Sequence, residues 1–240
     1  MKPMLMSLSK RPPLSNRAVF VGLWLGSLGL ALLPVLWPQL DLAVAAYFLE
    51  MDPARSPAST VWVDWVNEYT PDVFRVLALS LVGIWLIMTL WRRPPPWTKR
   101  WCISLAFVGF SLLLGPGLVT WAVKEHQLRA RPFDVVEFGG HRQFTPALKP
   151  TQQCEDNCAF FSGHVACGFF WCSLMLLAPR KRWYWIGGGI ASGVLIGVAR
   201  MSVGAHWLSD VLWALPITLA TSWLVWIVLT NLYKHTPDVA

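Results

Sequence analysis

Three short stretches of an otherwise apolar chain hold the cations, histidines and acid needed for anion and acid–base chemistry. "KEHQLRARP" holds Lys124 and Arg131, "FFSGH" holds Ser162, Gly163 and His164, and "ARMSVGAHWLSDV" holds Arg200, His206 and Asp210. Cations beside a Ser–Gly turn that opens a helix make an anion cradle, because free backbone N–H groups and the helix dipole both favour negative charge there. Arginine adds a planar fork of donors suited to phosphate oxygens. His206 and Asp210 stand four residues apart, the spacing that shares one face of a helix. The carboxylate can then accept from one imidazole nitrogen, fix the tautomer and leave the other nitrogen free to attack. His164, arriving from a separate segment, could protonate a departing alkoxide and later activate water.

The elements that must position these groups are apolar. Of 240 residues, 55% are hydrophobic and only 14% charged, where a soluble domain carries about 25% charged residues. Mean hydropathy is +0.47. A charge at the middle of a bilayer helix costs roughly 2.5–3.5 kcal/mol even on the lenient insertion scale, so titratable groups in such segments need a reason. Composition places the chain among polytopic membrane proteins. Runs able to cross about 30 Å of hydrocarbon are predicted near 18–37, 73–91, 101–123, 162–179, 184–204 and 208–231. The expected architecture is all-α, a six-transmembrane helix bundle forming a single domain over residues 1–240.

Several tryptophans (Trp37, Trp91, Trp97, Trp101, Trp183 and Trp185) cluster at the ends of these runs, as interfacial anchors do. The fourth and fifth runs are joined tightly and should form an antiparallel hairpin. "GGGIASGVLIG" at 187–197 reads as a close helix–helix contact face, and "GPG" at 115–117 should bend the third span. The stretch 41–72, amphipathic and Pro-containing, reads as an interfacial helix and loop. "AVAA" at 43–46 looks like a signal-peptide cleavage site. The apolar stretch before it exceeds the 7–15 residues of such signals, which predicts a retained helix.

A net charge of +7 and a pI near 9.4 would suggest nucleic acid in a soluble protein. Here the basic residues fall in short blocks between apolar runs, so topology explains them and no nucleic-acid partner is expected. Lys2, Lys10, Arg11, Arg17, Arg92, Arg93, Lys99, Arg100, Arg180, Lys181, Arg182 and Lys234 fall on one side of the predicted bundle. That is twelve of the 20 Lys and Arg, and the positive-inside rule puts both termini in the cytoplasm. The three chemical stretches then share the outer membrane–water interface. Cys102, Cys167 and Cys172 lie in apolar runs and read as packing residues. Cys154 and Cys158, in "CEDNC", either form a disulfide in an oxidising compartment or remain two free thiols.

Lys124–x6–Arg131–Pro132, then Ser162–Gly163–His164, then Arg200–x5–His206–x3–Asp210 resembles the three-part motif of the type 2 phosphatidic acid phosphatase superfamily. The six-span pattern is similar to that of its membrane lipid phosphatases. The resemblance implies that His206 is the phosphohistidine nucleophile, Asp210 its partner and His164 the general acid. It implies that Lys124, Arg131, Ser162, Gly163 and Arg200 hold the phosphoryl oxygens and stabilise the transition state. Neither a metal nor another cofactor is implied, since the cations do that work. Two positions depart from the family pattern: Phe161 stands where Pro is usual and Ala199 where Ser is usual.

The expected activity is hydrolysis of a lipid phosphate monoester or pyrophosphate, at a periplasm-facing site in a bacterial inner membrane. Undecaprenyl pyrophosphate, phosphatidylglycerol phosphate, phosphatidate and lipid A all fit as substrates. The bulky outer loop "FDVVEFGGHRQFTPALKPTQQCEDNC" hints at a large polar headgroup such as that of lipid A. A lipid phosphotransferase would use the same residues. A non-enzymatic transporter or lipid-binding protein would need the cradle but not two histidines. Arg129 reads either as a phosphate contact or as a helix-end anchor. His126, His141, Arg142 and Lys149 of the outer loop and His235 of the tail match no motif.

Overall fold

In the last apolar run, Val211, Ala214, Leu215, Thr218, Leu219, Ser222, Val225, Trp226 and Leu229 are all buried. Their spacing of three and four residues draws one stripe along a helix. That helix is α8 (Leu208–Lys234). A computed structural model describes residues 14–51, 56–91 and 96–234. The other helices are α1 (Leu14–Leu36), α2 (Gln39–Leu49), α3 (Val61–Leu90), α4 (Pro96–Leu112), α5 (Thr120–Gln127), α6 (Gly163–Ser173) and α7 (Arg182–Ser202). All regular structure among the described residues is helical apart from one isolated bridge, Val135 to Arg142.

Among the described residues, five stretches are long and apolar enough to cross a membrane: Asn16–Leu36, Val61–Leu90, Trp101–Asp134, Pro179–Ser202 and Leu208–Tyr233. The span expected at 162–179 is corrected. Its helix and the 3-10 turn that follows cover Gly163–Leu176, about 21 Å at 1.5 Å per residue, short of about 30 Å of hydrocarbon. It is buried along most of its length by its neighbours. The second span is also corrected: its helix begins at Val61, so residues 61–72 are not loop. Of the basic residues used to orient the chain, Lys2, Lys10, Arg11, Arg92 and Arg93 lie outside the described residues, as does His235.

α6 and α7 form the expected close hairpin. A Cβ on Gly168 would lie 2.8 Å from the Gly193 Cα, and one on Gly189 would lie 2.5 Å from the Cys172 backbone nitrogen. The facing pairs run in opposite directions along the chain, so the helices are antiparallel. The "GPG" segment is accommodated by π-helical turns over Leu113–Val119 that join α4 to α5. Pro116 within it lacks the N–H of a regular helix, and widened turns are a known response to such interruptions. Phe20 stacks on Trp223 at 4.8 Å and Trp24 Nε1 donates to the Pro216 carbonyl at 3.0 Å, tying α1 to α8. Outward residues such as Val76, Leu79, Ile87 and Leu90 of α3 are apolar and exposed, the face a lipid-embedded helix presents.

Candidate active site

Each of the three stretches meets the others at one end of the helices. α7 ends just beyond Arg200, in a turn that the sequence encodes through one glycine. Gly204 has φ +65°, its N–H donates to the Met201 carbonyl, and the Ala205 N–H donates to the Arg200 carbonyl. That is a Schellman stop, which needs a left-handed residue and therefore favours glycine. It turns the chain sharply and delivers His206 to the start of α8. His206 is thus not helical, and its meeting with Asp210 comes from the turn rather than from a shared helical face. His206 Nδ1 lies 3.4 Å from Asp210 Oδ2, which leaves Nε2 as the nitrogen free of the carboxylate.

Asp210 sits in the first turn of α8, where its charge suits the helix dipole. Oδ2 also accepts from the Trp207 N–H at 2.8 Å, half of a capping box. Ser162 N–H donates to the Asp210 carbonyl oxygen at 3.2 Å, so the second stretch is bonded directly to the third. Gly163 then opens α6 against α5. A Cβ there would lie 3.1 Å from Thr120 Cγ2 and 3.4 Å from the Pro116 carbonyl oxygen, so the small residue permits this approach.

The cations border this point. Lys124 Nζ donates to Asn157 Oδ1 at 3.2 Å, and Arg131 Nε and Nη2 donate to the Asn157 carbonyl at 3.0 and 2.7 Å. Arg200 Nη1 donates to Asn67 Oδ1 at 2.6 Å, and His164 Nε2 lies 3.2 Å from the Asn67 carbonyl oxygen. Asn67 of α3 therefore brings Arg200 and His164 together. Burial holds the His206 imidazole well below its usual pKa, and the positive charges of Lys124, Arg200 and Arg131 push the same way. The ring stays neutral and nucleophilic at ordinary pH.

Two buried polar atoms have no partner here: Ser162 Oγ and Arg200 Nε. Buried donors are rarely left orphaned. The Ser162 hydroxyl does not cap its own helix, so the hydrogen-bonding capacity of both atoms is unused within the described residues.

Behind Asp210 the opposite holds. Arg129 is fully buried and donates to Ser209 Oγ (2.7 Å), Asp210 Oδ1 (2.8 Å), Asp41 Oδ2 (2.7 Å) and the Thr145 carbonyl (2.8 Å). Both expectations for Arg129 are thereby corrected, since it reaches neither a phosphate site nor the surface. It lies over Trp207 and Phe144 at 5.3 and 5.7 Å, within cation–π range. Burial pushes the Asp41 carboxyl above the ordinary carboxylate range, opposed by the Arg129 charge and the Ser209 hydroxyl. Asp41, Asn67 and Asn157 escaped the sequence reading. A lone acid in the apolar run "QLDLAVAAYF" was the available clue, but its partner lies 88 positions away.

Cys154 and Cys158 form a disulfide that closes the short loop carrying Asn157, while Cys102, Cys167 and Cys172 are free and buried. In the loop between α5 and α6, Arg142 pairs with Glu155 in solvent at 2.8 Å. Phe161 packs in the core and Ala199 is buried.

An all-helical membrane fold that gathers two histidines, an aspartate and three cations around unpartnered buried donors defines a class: membrane enzymes that handle phosphate. The PAP2 superfamily profile matches residues 104–234, and the chain belongs to that superfamily, as a membrane lipid phosphate phosphatase. It is 29% identical over 201 residues to the lipid A 4'-phosphatase of Francisella tularensis subsp. novicida (strain U112), covering 80% of this chain and 87% of that protein. It is 39% identical over 104 residues to the lipid A 4'-phosphatase of Rhizobium leguminosarum, covering 42% and 44%. The lipid A 1-phosphatase of Rhizobium johnstonii (strain DSM 114642 / LMG 32736 / 3841) is 31% identical over 156 residues, 59% of this chain and 57% of that protein. No solved structure matches the chain.

Proposed function

We propose that the chain removes a phosphate monoester from lipid A at the periplasmic face of a bacterial inner membrane. The observation that carries this reading is the pair of unpartnered buried donors, Ser162 Oγ and Arg200 Nε, in the cradle around a neutral His206. His206 Nε2 attacks phosphorus, forming a P–N bond as the sugar oxygen leaves. The phosphate anion bound beside His164 favours its protonated form, and this imidazolium donates the proton that the leaving oxygen takes up. Asp210 stabilises the positive charge on His206, and Lys124, Arg131, Ser162, the Gly163 N–H and Arg200 hold the phosphoryl oxygens. His164 then takes a proton from water, which cleaves the P–N bond and frees phosphate.

Lipid A is supported by the names of the relatives, of which the 4'-phosphatase of Francisella is matched over most of its length. The 4'-phosphate is accordingly the preferred position. The outward orientation is supported by the disulfide beside the site, which belongs in an oxidising compartment. The test is phosphate release by purified, detergent-solubilised protein, with chelator present. Bis-phosphorylated lipid A, undecaprenyl pyrophosphate, phosphatidylglycerol phosphate and phosphatidate serve as substrates. Mass spectrometry of the lipid A product locates the phosphate that was lost. Turnover of lipid A at the 4' position far above the other lipids is expected; preference for another lipid would overturn the substrate assignment.

A further inference from the structure

We infer that Asp41, acting through Arg129 and Ser209, is a positioning residue for the Asp210–His206 pair. The inference rests on the roles proposed above for His206 and Asp210. Asp41 comes from α2, outside the residues 104–234 that the superfamily profile covers.

The reason lies in how one guanidinium is shared. Arginine prefers to clamp a single carboxylate with two parallel N–H groups. Here the fork is split: Nη2 goes to Asp41 Oδ2, Nη1 goes to Asp210 Oδ1 and Ser209 Oγ, and Nε is held by the Thr145 carbonyl. Arg129 can therefore engage only one Asp210 oxygen, and Oδ2 is left for the Trp207 N–H and His206 Nδ1. Asp41 also fixes the start of α8 directly. Its Oδ1 accepts from the Ser209 N–H at 2.8 Å, and its Oδ2 accepts from the Ser209 hydroxyl at 2.6 Å.

Charge follows the same logic. A lone Arg129 beside Asp210 would cancel the negative charge that must stabilise a positively charged His206. Asp41 offsets that guanidinium, so Asp210 keeps its pull on the imidazole. All four side chains are essentially inaccessible to solvent, where such interactions are weakly screened. Without Asp41, Arg129 would be free to clamp both Asp210 oxygens and draw the carboxylate from His206.

The experiment is a double-mutant cycle on kcat and KM for phosphate release, with melting temperature measured in parallel. Asp41→Asn keeps the shape and removes the charge. It is expected to lower kcat about 10- to 100-fold, the range typical of groups that orient a ligand or catalyst from behind, with KM changed less than about threefold. In an Asp210→Asn background the same substitution is expected to cost less than about twofold, because residues that act through one another are not additive. Equal losses in both backgrounds, or an unchanged kcat in the single variant, would overturn the inference. Ser209→Ala, which retains the backbone bond to Asp41, carries the same cycle should Asp41→Asn fail to purify. An expected loss of about threefold in kcat that vanishes beside Asp210→Asn supports the inference, and its absence overturns it. His206→Ala reports separately on the underlying roles: if it stays active, those roles fail; if it is dead while Asp41→Asn is normal, only the inference fails.

Discussion

The two flanks of His206 are built on opposite principles. On one side Arg129 is fully buried with every donor group engaged by Asp41, Ser209, Asp210 or Thr145. On the other, Lys124, Arg131 and Arg200 rest on two asparagines, and Ser162 Oγ and Arg200 Nε have no partner at all. A saturated network cannot rearrange without leaving a buried charge unpaired, which makes it a rigid backing. A cradle with open donors is incomplete until an anion fills it, so its free energy is spent on substrate rather than on the fold. Under the proposed mechanism this separates one structural cation, Arg129, from three that hold phosphate, although all four lie within the same two motifs.

The contrast can be broken most severely at its centre. His206→Ala is expected to cut phosphate release at least about 10⁴-fold, the scale on which loss of a nucleophile acts, with lipid A binding retained. Next come the two arginines, which should separate cleanly. Arg129→Met leaves Asp41 and Asp210 buried and unpaired, and removing one partner of a buried pair costs about 3–5 kcal/mol, read as a lower melting temperature. Arg200→Ala is expected to lower kcat by about 10²- to 10³-fold, as loss of a charge-stabilising donor does, with little change in melting temperature. If both variants lost stability equally, the distinction between the flanks would be wrong.

Ser162→Ala sharpens the comparison more gently. Activity should fall about tenfold, while the unliganded protein is as stable as before or more so, because an orphaned buried hydroxyl has gone. The smallest effect is on pH. His206 has its pKa lowered in the fold by burial and by the cations Lys124, Arg200 and Arg131. The unfolded chain therefore binds the proton more readily, and stability is full above the unfolded pKa of about 6.5 and lost as pH falls below it. The slope should reach at most about 1.4 kcal/mol per pH unit. Melting curves between pH 7.5 and pH 5, flatter in His206→Gln than in the parent, would register it.

The stretches that carry the candidate site were legible because their chemistry is local: a Ser–Gly before a helix, a His and Asp four apart, a Lys and Arg before a Pro. The apolar runs were legible because lipid demands them, and the α6–α7 contact because its glycines repeat every helical turn. Less legible was the true extent of α3 and the shortness of α6. Residues 61–72 carry polar groups such as Asn67 that read as loop, yet Asn67 bonds to Arg200 across 133 positions. α6 is short and sheathed in protein, and a sequence of apolar residues looks the same whether lipid or protein covers it.

The membrane class, the all-helical fold and the candidate residues for handling phosphate are thus written along the chain. Each follows from composition or from spacing along the chain. Only the tertiary structure decided which charges are partners. Arg129 differs from Arg131 by two positions, and although Pro132 marks Arg131 out, nothing local says that Arg129 is buried. One is buried against Asp41, brought from a distant helix, and the other is left at the cradle's rim with an exposed asparagine. Burial and pairing are set by what folds across a residue, and in this protein that comes from α2 and α3, far from either motif.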